Sequence, residues 1–266
     1  MLSYERVHES LRSEYERLSS HLGSLSDREI SAPSACAGWS IADVTAHLAW
    51  NARLYVRSLT FALSGEIPQT PKTKEDSQPI TANFVRDRAI ELRRKLGRGL
   101  LESFTEHNER FITMLKGVNP AFRDQLTIPF INRLIPLRQL VGLRISEVAL
   151  HSWDIRSPND PGAELEEEAA IACIELRRET IERLLQPGWD VRVRIAPEGA
   201  DGFDIVAHGG VPTTEPIFGK ASATLNATPS TMALLLSGRR ALNDDSVDIQ
   251  GDVNIGNAFV ERLVNS

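Results

Sequence analysis

The chain has 266 residues, 41% of them hydrophobic and 25% charged, a balance that suits one large globular domain or two ordinary ones. Its formal net charge of −6 argues against non-specific nucleic-acid binding. No apolar run approaches the roughly 20 residues of a membrane-spanning helix, and the charged, periodic N-terminus lacks a signal peptide's apolar core, so the expectation is a cytoplasmic protein with no membrane partner.

Taken in order, residues 2–24 read as a helix, with Val7, Leu11, Leu18 and Leu22 at helical spacing. Residues 26–38 hold Asp27, Pro33, Gly38 and several serines and read as a loop. Ser40 and Asp43 form an acidic capping box that opens a second helix, closed by Gly65. His47 falls on or beside its buried face, and Asn51 lies one turn further on. The Pro-, Thr- and Lys-rich stretch 66–80 reads as a solvated loop or lid. A long third helix is expected from Thr81 to Lys116, carrying Arg86 and Arg88 in its first turns, where a cation opposes the helix dipole. Those two arginines fit either an anion site or plain solvated charge. Residues 117–135 read as irregular, and a fourth helix starts near Pro136 and ends before the linker-like run 157–162.

Beyond that run the periodicity changes. Residues 164–186 form one more helix, followed by strands at 190–195, 203–207, 222–226 and 247–250. Thr228-Pro229 opens a helix that Gly238 closes, and Asp252 caps a last one. The expected fold is α+β: an antiparallel four-helix bundle over 1–162 and a smaller α/β domain over 163–266.

The fourth helix carries Glu147 and His151 four residues apart in an apolar run, on one helix face. With His47 they make two imidazoles and one carboxylate, the donor set of several catalytic zinc sites, which leave one position open. The spacing alone is explained as well by a solvated Glu/His contact. Asp154 reads either as a partner orienting a nearby group or as a helix-terminal polar residue. Arg144 reads as pairing with Glu147 or, by preference, with a surface acid. His8, His21, His107 and His208 read as surface residues. Cys36 and Cys173 fit no CxxC spacing and read as reduced packing residues.

The stretches GWSIADVTAHLAW and PLRQLVGLRISEVALHSWDI resemble the mycothiol-dependent maleylpyruvate isomerase family, of the DinB-like bundle superfamily. The second motif is met by Arg144, Glu147, Val148, His151 and Asp154. The resemblance implies that His47, Glu147 and His151 bind one divalent metal, usually zinc, with mycothiol as thiol cosubstrate. ATLNATPSTMALLLSGRR followed by VDIQGD resembles the family's sterol-carrier-like second domain. There the resemblance implies that an arginine reaches the substrate, and Arg239 is the candidate. A cation at a helix C-terminus explains Arg239 equally.

The resulting expectation is a metal-dependent enzyme whose bound thiol is activated as a thiolate for S-transfer to, or cis–trans isomerisation of, a small electrophile. Arg239 and Arg88 are the candidate catalytic residues; Arg86 and Asn51 are the candidate cofactor-binding residues. The protein would be a monomer or homodimer acting on small molecules. A non-catalytic binding protein for an apolar or lipid ligand and a metal-assisted hydrolase are the other readings. No Ser–His–Asp arrangement, phosphate-binding glycine loop or dinucleotide fingerprint stands out.

Overall fold

The computed structural model describes residues 3–65, 81–131, 133–181, 190–209, 211–241 and 246–264. The expected loop or lid at 66–80, the end of the expected helix at 182–186 and residues 242–245 lie outside them. The chain divides into two compact units, Tyr4–Ala163 and a second one from Glu164 onward.

The first unit is helical. Its helices are α1 (Tyr4–Ser24), α2 (Asp27–Ile30), α3 (Ile41–Ser64), α4 (Ala82–Leu96), α5 (Leu100–Gly117) and α6 (Leu137–Arg156). α1 packs against α5 and α6, and α3 packs against α4, α5 and α6. Leu11, Leu18, Val44, Leu48, Phe104, Phe111, Leu140 and Val148 close the core between them. The α3 capping box is present in full: the Ser40 hydroxyl accepts from Asp43 N–H, and the Asp43 carboxylate accepts from Ser40 N–H. Gly65 ends the helix in the left-handed region.

Three expectations are corrected in this unit. The expected loop at 26–38 contains the one-turn helix α2, held by a second capping box between Ser26 and Glu29. The expected helix over 81–116 is two helices. The chain turns at Gly97, whose φ of +53° few other residues tolerate, and passes through a short 3-10 turn, Gly97–Gly99, before α5. The stretch 117–135 is more regular than expected. A 3-10 turn at Pro120–Phe122 precedes an antiparallel hairpin, β1 (Thr127–Phe130) and β2 (Arg133–Pro136), with Ile128 opposite Ile135. Pro136 closes β2 and caps α6, which starts near it as expected.

The second unit is a sheet covered by helices. The strands are β3 (Val191–Pro197), β4 (Phe203–His208), β5 (Val211–Glu215), β6 (Ala223–Ala227) and β7 (Asp248–Gly251), in the order β5-β4-β3-β6-β7. The β3–β6 pair is parallel and the others are antiparallel. β5 is an addition to the expected strands. The helices of this unit are α7 (Glu167–Thr180), ahead of the first strand, α8 (Pro229–Leu236), between β6 and β7, and α9 (Val253–Val264), after the last. α7 packs on α8, and α8 and α9 pack on β6. Thr228 and Asp252 cap α8 and α9 as expected. Alternation carries the packing: Val193 and Ile195 on β3 and Ala223, Leu225 and Ala227 on β6 are buried. Buried Asp204 is held between Arg192 and Arg194 at 2.8 Å, which draws its carboxyl below the usual range against the opposing effect of burial. No helix among the described residues is long and apolar enough to cross a membrane.

Candidate metal centre

The first unit's helices bring His47 of α3 and Glu147 and His151 of α6 together. His47 Nε2 lies 2.9 Å from Glu147 Oε2, and His151 Nε2 lies 3.8 Å from the same oxygen. One ligand atom from each residue lies within 4.8 Å of the other two. Donors bound at about 2.0–2.1 Å to a tetrahedral ion stand roughly 3.3 Å apart. The observed spacings bracket that edge, so the three groups fit a divalent ion after small side-chain movements.

Two imidazoles and one carboxylate offer a borderline ion three protein ligands, with the remaining position left for water or a substrate atom. Glu147 keeps a third of its side chain exposed, so the cluster is open to solvent. Burial pushes its carboxyl up. The His47 hydrogen bond and the charges of His151, His47 and Arg144 outweigh that and bring it down to about 2. Glu147 is therefore anionic at any physiological pH.

The surrounding side chains fix the donors. Asp154 is buried, and its Oδ2 accepts from His151 Nδ1 at 2.7 Å. That bond holds the ring with Nε2 turned toward Glu147, the orientation a ligating histidine takes from a carboxylate partner. Of the two readings of Asp154, the orienting one describes its position. His47 is held differently: its Nδ1 is buried with no hydrogen-bond partner among the described residues, and its ring packs edge-on to Trp39 at 5.9 Å and beside Trp50 at 6.5 Å. Asn51 Nδ2 donates to Glu147 Oε2 at 3.2 Å, while its Oδ1 accepts from Arg144 at 2.7 Å.

Arg144 overturns the expectation of a surface ion pair. It is fully buried, donating to Asn51 Oδ1, Asn108 Oδ1 at 2.6 Å and the Leu48 carbonyl at 3.3 Å, and lying over the Tyr55 ring. Burial pushes it down to about 10, with the charge of Glu147 working against that shift, so it stays cationic at neutral pH. It supports the carboxylate from behind through Asn51. Cys36 is the residue that sequence reasoning missed. Its thiol donates to Asp154 Oδ2 at 3.2 Å and lies 3.8 Å from His151 Nδ1. The loop carrying it is tied to α6 by Ala35 N–H, which donates to the Asp154 carbonyl. No spacing pattern marks this contact, which joins residues 118 apart.

Each candidate arginine has contacts within its own unit. The Arg86 guanidinium lies over Gly38, 3.6 Å from where a Cβ would stand. Arg88 pairs with Glu91 at 3.1 Å and stacks on Phe84. Arg239 belongs to the second unit, past the end of α8, where its guanidinium donates to the Ser237 carbonyl at 3.5 Å. His8, His21 and His107 are half-buried, the first and last of them against main-chain carbonyls, and His208 is exposed.

Asp154→Asn tests the orienting bond. The variant is expected to weaken zinc affinity by about 10- to 100-fold, measured by competition with a chromophoric chelator. Unchanged affinity would show that the His151–Asp154 contact does not serve the metal.

Fold and site together define a two-unit protein whose helical half gathers a His–Glu–His donor set from two helices, backed by buried polar support. The family can now be stated. The chain belongs to the family described as "Mycothiol maleylpyruvate isomerase N-terminal domain", which matches residues 11–156. Among solved structures, the chain is similar to the mycothiol-dependent maleylpyruvate isomerase at 16% identity and to a mutant of it at 17%. In both cases 95% of each chain is covered with a TM-score of 0.65, which establishes a shared fold. No curated protein matches the sequence.

Proposed function

We propose that this protein is an enzyme that uses a small thiol, mycothiol by family, to attack a small electrophile at a zinc-type centre on His47, Glu147 and His151. The observation that carries the reading is the convergence of His47 Nε2, Glu147 Oε2 and His151 Nε2 from two helices. A divalent ion held there would supply a Lewis-acid position that deprotonates a coordinated thiol near neutral pH. The chain's own residues do the rest. His47 and His151 present imidazole nitrogen toward one point, and Glu147 adds the negative charge that a divalent ion requires. Asp154 holds the His151 ring, and Asn51 with Arg144 holds the Glu147 carboxylate. Trp39 and Trp50 flank His47 and restrict water on that side. Arg239 is our candidate for an anionic group of the substrate, and Arg86 for one of the thiol cosubstrate. A reducing cytoplasm suits both a thiol cosubstrate and the free cysteines Cys36 and Cys173.

A thiolate that adds to an activated double bond, permits rotation and then leaves gives isomerisation. One that stays attached gives S-transfer. The test incubates zinc-loaded protein with mycothiol and a conjugated electrophile such as maleylpyruvate and weighs the product. Substrate of altered geometry and unchanged mass identifies isomerisation, and a stable conjugate identifies transfer. Turnover that persists with no thiol present would overturn the proposal in favour of hydrolysis by bound water.

A further inference from the structure

We infer that a second site exists in the helical unit: the cleft between α3, α4 and α5 binds a compact polyanion with at least two phosphate or carboxylate groups. The cleft has a volume of about 580 Å³, within the range of small-molecule sites. Arg53 and Arg57 of α3, Arg88 and Lys95 of α4 and Arg110 of α5 line it, against one carboxylate, Glu91. Glu91 is already bonded to Arg88.

The cleft gathers five cations around one concave surface. Arg12 pairs with Glu9 and Glu16, Arg17 with Glu14 and Arg123 with Glu5, in a chain whose net charge is −6. In the cleft, Arg53, Arg57, Lys95 and Arg110 have no carboxylate partner among the described residues. Arg53 and Arg57 stand four residues apart on one helix face, a repulsive arrangement unless an anion lies between them. Like charges around a concave surface focus the field and raise the local concentration of anions.

The walls add shape. Arg57 lies over the Phe61 ring at 5.6 Å, which restrains its planar fork of donors for bidentate contact with phosphate or carboxylate. Trp50 and Leu54 supply an apolar flank. None of His47, Glu147 and His151 lines the cleft, yet Trp50 does, and its ring stands 6.5 Å from that of His47. The cleft is thus a separate site that shares one wall with the metal centre.

Calorimetric titration of the full chain with inorganic pyrophosphate and with citrate tests this. Binding of either probe is expected to weaken as salt is added. The Arg53→Gln/Arg57→Gln double variant should lose at least about tenfold in affinity. Arg12→Gln/Arg28→Gln, which removes the same charge from α1 and α2, should bind as the native chain does, and so should His47→Ala. Tighter binding of pyrophosphate assigns a phosphorylated ligand, and tighter binding of citrate a polycarboxylate. The inference is overturned if neither probe binds, if both double variants weaken equally, or if His47→Ala abolishes binding, which would put the anion on the metal centre. Thermal melts of each variant show that the fold is retained.

Discussion

Glu147→Gln is expected to cut thiol-dependent turnover by about 10²- to 10³-fold while leaving the helical unit folded. Glutamine keeps the size of the side chain and an oxygen for Asn51, so packing changes little. It removes the negative charge that His47, His151 and Arg144 converge on. A neutral amide is a poor ligand for a divalent ion that otherwise has only two imidazoles. Without the ion, a thiol near its ordinary pKa is about 3% ionised at neutral pH, and the positioning of sulfur is lost as well. Initial rates with mycothiol and a saturating electrophile measure the effect, and a thermal melt confirms the fold. Full activity in the variant would remove the carboxylate from the mechanism.

Arg144→Ala is expected to destabilise the helical unit by about 3 kcal/mol. The variant leaves the oxygens of Asn51, Asn108 and Leu48 without their donor inside the core, and it opens a cavity beside Tyr55. Each abandoned acceptor costs on the order of 1 kcal/mol or more, while the relief of no longer burying a cation offsets part of the sum. For a unit of this size the midpoint should fall by roughly 10 °C. Arg144→Lys should recover part of the loss, because one ammonium cannot reach Asn51 and Asn108 with the geometry of a fork. Denaturant titration of the native chain and both variants gives the values. A loss under about 1 kcal/mol in the alanine variant would mean that water satisfies the three oxygens.

The features read correctly from sequence are those whose physics is local. Ser40 and Asp43 are three residues apart, so their reciprocal bonds follow from spacing alone. Glu147 and His151 share a helix face for the same reason. His47 lies 100 residues from Glu147, so the residues alone offered it as a candidate partner, and the two-part resemblance joined it to them. The break at Gly97 was hidden because the apolar stripe of α4 and α5 keeps helical spacing across it. The hairpin 127–136 was hidden because four-residue strands containing Pro129 and Pro136 give little alternation to read. Arg144 misled because a cation on a helix is ordinarily solvated, and nothing local shows that Asn51 and Asn108 wait for it. Cys36 escaped notice for the same reason: its partners are on a helix more than a hundred residues away.

Metal content tests the central claim most directly. Protein purified without a metal-affinity tag, reconstituted with zinc and desalted, would be measured by elemental mass spectrometry beside His47→Ala. The expected result is close to one divalent ion per native chain and a near-complete loss in the variant, which would tie α3 and α6 into a single metal centre. A native chain that holds no ion after reconstitution, or a variant that holds as much as the native chain, would contradict it.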